Sequence, residues 1–137
     1  MKTVLTAAAT AAACAMVRHQ VEKPGFGERR WGRVCLRPMW NQRGAFGLPM
    51  AGRTLAVPSL LALGLVWCCR HNAPVSAGLV LGGGGSNLIE RLRRGIVCDY
   101  LRVQKGPGPL GRYVYNLADL AIFTGALGLV LSSRRDG

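Results

Sequence analysis

Acidic residues are scarce in this 137-residue chain: Glu22, Glu28, Glu90, Asp99, Asp119 and Asp136 stand against 18 Lys and Arg, for a net charge of +12. Such a balance suits an anionic surface, either nucleic acid or lipid. Zinc-ligand spacing, an RNP-like aromatic pattern and a helix-turn-helix signature are all missing, which sets nucleic acid aside. A disulfide framework is missing too, because the five cysteines, Cys14, Cys35, Cys68, Cys69 and Cys98, are odd in number and lie mostly in or beside apolar stretches. They read as small buried apolar residues. There is no cluster of metal-ligating side chains and no Ser/His/Asp set, so no metal and no cofactor are expected. The glycines Gly82 to Gly85 lack the Gly-Lys-Ser/Thr that would make them a phosphate loop.

Apolar residues make up half of the chain and are bunched into Thr3 to Val17, Leu55 to Cys69, Ala73 to Ile89 and Tyr113 to Leu131. A soluble amphipathic element carries charge every few positions, and these blocks carry almost none over several turns. Bunching of this kind favours membrane spans over a buried helical bundle. A span needs roughly 20 apolar residues, with about 17 as a lower limit. Arg18, Arg53 and Arg70, at the block edges, can snorkel to the interface. The expectation is therefore one integral-membrane domain, all-α, with four transmembrane helices near 3–17, 55–69, 73–89 and 113–131. Gly82 to Gly85 would let a neighbouring backbone approach closely. The first block admits a second reading, a secretory leader ending in a lipidation site at Cys14. Three further apolar blocks favour a retained span.

The informative residues are the polar ones placed where they are expensive. Asn87, Glu90, Arg91 and Arg94 fall on one side of a helix that Gly95 would stop. Taken singly, these and their neighbours have bland explanations. Glu90 and Arg94 can form an i,i+4 pair, and Asn116 with Asp119 makes a variant capping box. Two carboxylates resist that account. Asp99 sits in the apolar "GIVCDYL" with no opposite charge within a turn on its N-terminal side, and Asp119 sits inside the last apolar block. "KGPGPLG" between them must loop, so the two aspartates can meet across the ends of adjacent spans. Close carboxylates share a proton near neutral pH. One can then take a proton from water while the other supports a scissile carbonyl, which is aspartic protease chemistry.

"GGSNLIERLRRGIVCDYL" and "YNLADLAI" resemble the two C-terminal signatures of the bacterial lipoprotein signal peptidase family, also called signal peptidase II. The matching residues are Asn87, Arg91, Gly95, Val97, Asp99, Asn116, Ala118 and Asp119, in the family's order and spacing. "HQVEK" from His19 and "WNQRGAFGL" from Trp40 resemble two further motifs, with His19 and Arg43 departing from the pattern and Asn41 and Phe46 keeping it. The resemblance implies a multi-pass protein of the bacterial inner membrane, with a small extramembrane β-rich segment between the first two helices. It implies an intramembrane aspartyl endopeptidase that cuts prolipoproteins just before a diacylglyceryl-modified cysteine. Asp99 and Asp119 would be the catalytic pair, and Asn87, Arg91, Asn116 and Asn41 would bind substrate or support the pair. The implied partners are prolipoproteins and membrane lipids, with no nucleic acid, and the protein would be a monomer.

Other features pull against this reading. Glu90 replaces the aspartate usual beside Arg91, and Tyr100 and Tyr115 stand where phenylalanine is common. The family orientation places both termini in the cytoplasm, yet 14 of the 18 Lys and Arg fall in Arg18 to Arg53 and Arg91 to Arg112. The positive-inside rule predicts the reverse. Three rivals follow: a catalytically inactive membrane scaffold of the same fold, a basic lipoprotein anchored through Cys14, and a soluble nucleic-acid binder.

Overall fold

The structure, a computed structural model, describes residues 1–41 and 54–134. Its elements run α1 (Lys2–Val21), β1 (Arg29–Trp31), β2 (Val34–Asn41), α2 (Ala56–Cys68), α3 (Pro74–Arg94), β3 (Val97–Val103), α4 (Gly108–Arg112), β4 (Val114–Tyr115) and α5 (Leu117–Ser133). The central helix is α3, which packs along both α1 and α5 and also meets α2.

Small residues make these close approaches possible, as the glycine run suggested. A methyl group at Gly82 would come 2.5 Å from the carbonyl oxygen of Ala7, and one at Gly83 would come 2.6 Å from that of Ala118. The same run therefore seats α1 on one side and α5 on the other. Gly95 then ends α3 in the left-handed conformation at φ 74°, as expected of a C-terminal glycine.

Four expectations need correction. Among the described residues no helix is both long and apolar enough to cross a membrane. The reasons differ from helix to helix. With 13 and 17 residues, α2 and α5 are short. Alanine and threonine dominate α1, whereas α3 is glycine-rich and runs on, as its polar spacing suggested, through the charged "ERLRR" to Gly95. Second, the β structure is not confined to the connection between the first two helices. An antiparallel four-stranded sheet, in the order β1-β2-β3-β4, takes two of its strands from the chain after α3. Third, "KGPGPLG" is not all loop, since the short helix α4 begins within it at Gly108. Fourth, Cys14, Cys35 and Cys98 are buried, but Cys68 and Cys69 are exposed at the end of α2.

Val21, Cys98 and Tyr100 form a small core under the sheet, with Phe26, Leu36, Leu101 and Leu117 packed on it. Strand alternation turns Asp99 to the face opposite Cys98 and Tyr100. The β2–β3 register pairs Met39 with Asp99 and Asn41 with Val97, after an irregularity between Leu36 and Met39. Pro38, which cannot donate to a ladder, lies within that irregularity.

Candidate active site

Each polar residue of the site arrives on a different element. Asp99 is mid-strand in β3, and Asn41, the last residue of β2, is its diagonal neighbour on the same face. Asn87 lies on the inner face of α3. Asn116 is the N-cap of α5, and Asp119 is the third residue of that helix. Asp119 thus sits in the first turn of α5 rather than deep in an apolar run.

Asn116 joins the two aspartates. Its Nδ2 donates to Asp99 Oδ1 at 2.9 Å and to Asn87 Oδ1 at 3.1 Å. Its backbone N–H donates to Asp119 Oδ2 at 2.9 Å, while its own Oδ1 accepts from the Asp119 N–H at 3.0 Å. Asn87 Nδ2 closes the ring by donating to Asp119 Oδ1 at 3.2 Å. On the far side of Asp99, Asn41 Nδ2 donates to Oδ2 at 2.9 Å. Both carboxylates therefore accept from two N–H donors each, the arrangement buried charge requires. The capping box and the link between the aspartates, weighed above as alternatives, coexist because Asn116 takes part in both.

Asp99 is only 6% exposed. Burial pushes its carboxyl up to about 6, against the pull of the Asn41 hydrogen bond, and the charge of Asp119 adds to the rise. Arg91 stands apart from the bonded set. Among the described residues its side chain makes no hydrogen bond or ion pair, and its charge acts on Asp99 only through space. Of the six residues picked out from sequence, five are tied together and Arg91 is not. Arg43 and Phe46, of the motif that begins at Trp40, lie outside the described residues.

A second polar group supports the first. Glu90, 4% exposed, pairs with Arg18 of α1 at 3.3 Å and with Arg94 at 3.6 Å, and it accepts the N–H of Cys98 at 3.4 Å. Cys98 directly precedes Asp99, so the Glu90 carboxylate pins the strand beside the site. Arg94 continues to Glu22 at 2.9 Å, which ties the end of α1 to the end of α3. The Tyr100 hydroxyl oxygen accepts the Leu117 N–H at 2.9 Å, satisfying another free donor at the start of α5. Sequence reasoning missed Arg18 and Tyr100 in these roles. Arg18 and Glu90 are 72 residues apart, and no local pattern reports the contact. A gap of about 10 Å³, roughly one water's worth, lies among Arg18, Ser86, Asn87, Glu90 and Asn116. Neither aspartate lines it.

The arrangement of helices around this sheet is that of solved bacterial membrane enzymes. Two such structures superpose with TM-scores of 0.79 and 0.77 at 16% and 17% identity, each over 98% of this chain and over 94% and 88% of their own. That is the class of fold. A model of the family described as signal peptidase (SPase) II matches residues 4–135, and the chain belongs to that family. It is 38% identical over 107 residues to a lipoprotein signal peptidase of Methylorubrum extorquens, covering 71% of this chain and 61% of that one. A Rhodopseudomonas palustris lipoprotein signal peptidase is 30% identical over 145 residues, covering 87% and 86%. The match thus spans about three fifths of the Methylorubrum protein and most of the Rhodopseudomonas one.

Proposed function

We propose that this chain is an aspartyl endopeptidase that removes signal peptides from diacylglyceryl-modified prolipoproteins. One observation carries the reading: Asp99 and Asp119, 20 positions apart in sequence, are held by a single asparagine side chain and backbone. Membership of the signal peptidase II family supports the substrate class. In this mechanism the pair shares one proton. Asp99, raised to about 6 by burial, keeps it and donates a hydrogen bond to the scissile carbonyl. Asp119 takes a proton from water as the water oxygen bonds to the carbonyl carbon, and it passes that proton to the amine nitrogen as the C–N bond of the tetrahedral intermediate breaks. Asn41, Asn87 and Asn116 hold the two carboxylates at a fixed separation, so that little reorganisation accompanies reaction. Arg91, with donors to spare, binds the substrate backbone.

The same reading makes the protein a multi-pass monomer of the bacterial inner membrane. Large apolar side chains turned outward support it: Leu5 and Met16 on α1, Leu61 and Leu65 on α2, and Leu127 and Leu131 on α5 are all more than half exposed. A water-soluble surface rarely carries so much contiguous apolar area. Short helices fit where the bilayer thins or flanking residues snorkel. Cleavage of a prolipoprotein in membranes bearing the parent or an aspartate variant tests the assignment.

An inactive scaffold is the second reading. The complete capping box favours it, because Asp119 has a structural task whether or not it reacts. Asp99 caps nothing, but it accepts from Asn41 and Asn116 in either reading, so cleavage by folded Asp99→Asn is what separates the two.

A further inference from the structure

Past Asp99, β3 runs into a cationic corner of the sheet. β1 and β2 join through Gly32 and Arg33, and the N–H of Gln104, just beyond β3, donates to Arg33 O at 2.7 Å. That bond holds the hairpin turn beside the end of β3. Pairing sets Cys35 between Arg30 and Arg102 on one face, which places two like charges about 10 Å apart across three strands. Arg29, Arg33, Arg37 and Lys105 complete a group of six basic residues, all exposed. Their ion pairs among the described residues are two, Glu28 with Arg30 at 2.8 Å and with Arg37 at 3.9 Å. Arg29, Arg33, Arg102 and Lys105 therefore gather at one corner with no carboxylate partner among the described residues.

Apolar side chains share this corner. Trp31 is 59% exposed and pairs directly with Val34, itself 36% exposed, on the face opposite Arg30 and Arg102. The helices carry apolar surface up to the sheet as well. Val21, the last residue of α1, packs under the sheet against Cys98 and Tyr100, and Met16 and Val17 just before it are exposed. Ile89 and Leu92 near the end of α3 and Leu120 near the start of α5 are exposed too. An apolar belt that gives way to exposed Trp and Arg is the composition of a surface lying at the boundary of a bilayer. A nucleic acid would use the arginines and leave that belt uncovered.

We propose that this corner binds the phosphates of anionic phospholipid headgroups, with Trp31 and Val34 at the level where the acyl chains begin. Arginine forks hold phosphate oxygens in pairs, and basic side chains grouped at one bilayer surface add their attractions for anionic lipid. Six of the 14 basic residues that run against the positive-inside rule stand here, so headgroup binding rather than topology accounts for them. The inference rests on the membrane placement proposed above and makes no use of the aspartates.

The test places the full chain, with Trp40→Phe and Trp67→Phe so that Trp31 is the sole tryptophan, in nanodiscs of phosphatidylcholine alone or mixed with phosphatidylglycerol. Quenching of Trp31 by a lipid spin-labelled near its headgroup is read at about 0.1 M and about 1 M salt. Quenching should be stronger with phosphatidylglycerol at low salt. High salt should return it to the phosphatidylcholine level, and so should replacing Arg29, Arg33, Arg102 and Lys105 together by Gln. The salt comparison decides the matter if that variant does not fold. Equal quenching in the two lipids would overturn the anionic-lipid assignment, as would a Trp31 response to an oligonucleotide but not to phosphatidylglycerol. A chain that alkaline carbonate strips from membranes would overturn the multi-pass reading and this one with it. A chain that stays inserted while Trp31 ignores phosphatidylglycerol overturns this one alone.

Discussion

Asn116 donates one amide bond to Asp99 at 2.9 Å while its carbonyl oxygen caps the helix that carries Asp119. A structural device and a candidate chemical one thus share a single residue. They can be pulled apart by choosing what replaces it.

Asn116→Ala should lower stability by about 1 kcal/mol through loss of the cap, and should lower cleavage as well. Asn116→Ser restores an N-cap oxygen but offers no amide to Asp99 or Asn87. The cap's share of stability should therefore return while cleavage stays low. Chemical unfolding alongside a cleavage assay checks the split; recovery of both together would mean that Asn116 acts only as a cap.

Cleavage should depend on pH through Asp99. Its carboxyl is raised to about 6 by burial, so the shared proton is lost as pH climbs past that value and the rate should fall there. Stability runs the same way. The folded value lies above the ordinary 3.8, so the contribution is complete below about 3.8 and disappears as pH rises through about 6. The difference amounts to about 3 kcal/mol. Unfolding of parent and Asp99→Asn at pH 4 and pH 7 should show a steeper pH slope in the parent than in the variant.

Helix contact, not propensity, should govern the glycine run. Gly82→Ala and Gly83→Ala each drive a methyl group against a neighbouring backbone carbonyl. Each should destabilise by about 1–3 kcal/mol. Gly85→Ala, where nothing lies within 4 Å, should be neutral or stabilise by up to about 1 kcal/mol. Thermal unfolding of the three variants gives the ranking.

Glu90→Ala should be among the most damaging changes away from the aspartates. It strands Arg18 and frees the Cys98 N–H, at about 3–5 kcal/mol for breaking a buried pair. Replacing Arg18 and Glu90 together with apolar residues should recover much of that loss. A double-mutant cycle measures the coupling.

Much of this site was legible in the sequence because its carboxylates sit where they are costly. Asp99 in "GIVCDYL" and Asp119 in "NLADLAIF" stood out against their neighbours, and Asn116 announced a helix start. Asn87 and Asn41 were reachable through the family resemblance. Strand β3 was not legible, because it is buried on both faces and carries no alternation. The end of α3 was legible from the polar spacing that led to Gly95, but what holds it there was not. Hydropathy marks where apolar residues stop, whereas α3 continues as long as its charged last turn finds partners in Glu22 and Arg18. Those partners come from α1, and only the fold brings them near.

The most direct test places the parent, Asp99→Asn and Asp119→Asn side by side in membranes containing a diacylglyceryl-modified prolipoprotein, with insertion and folding confirmed for each. Mature lipoprotein should form with the parent and fall by roughly 10²- to 10⁴-fold with either variant. Parental cleavage by folded Asp99→Asn would contradict the account, for it would leave the buried acid of β3 without a part in the chemistry.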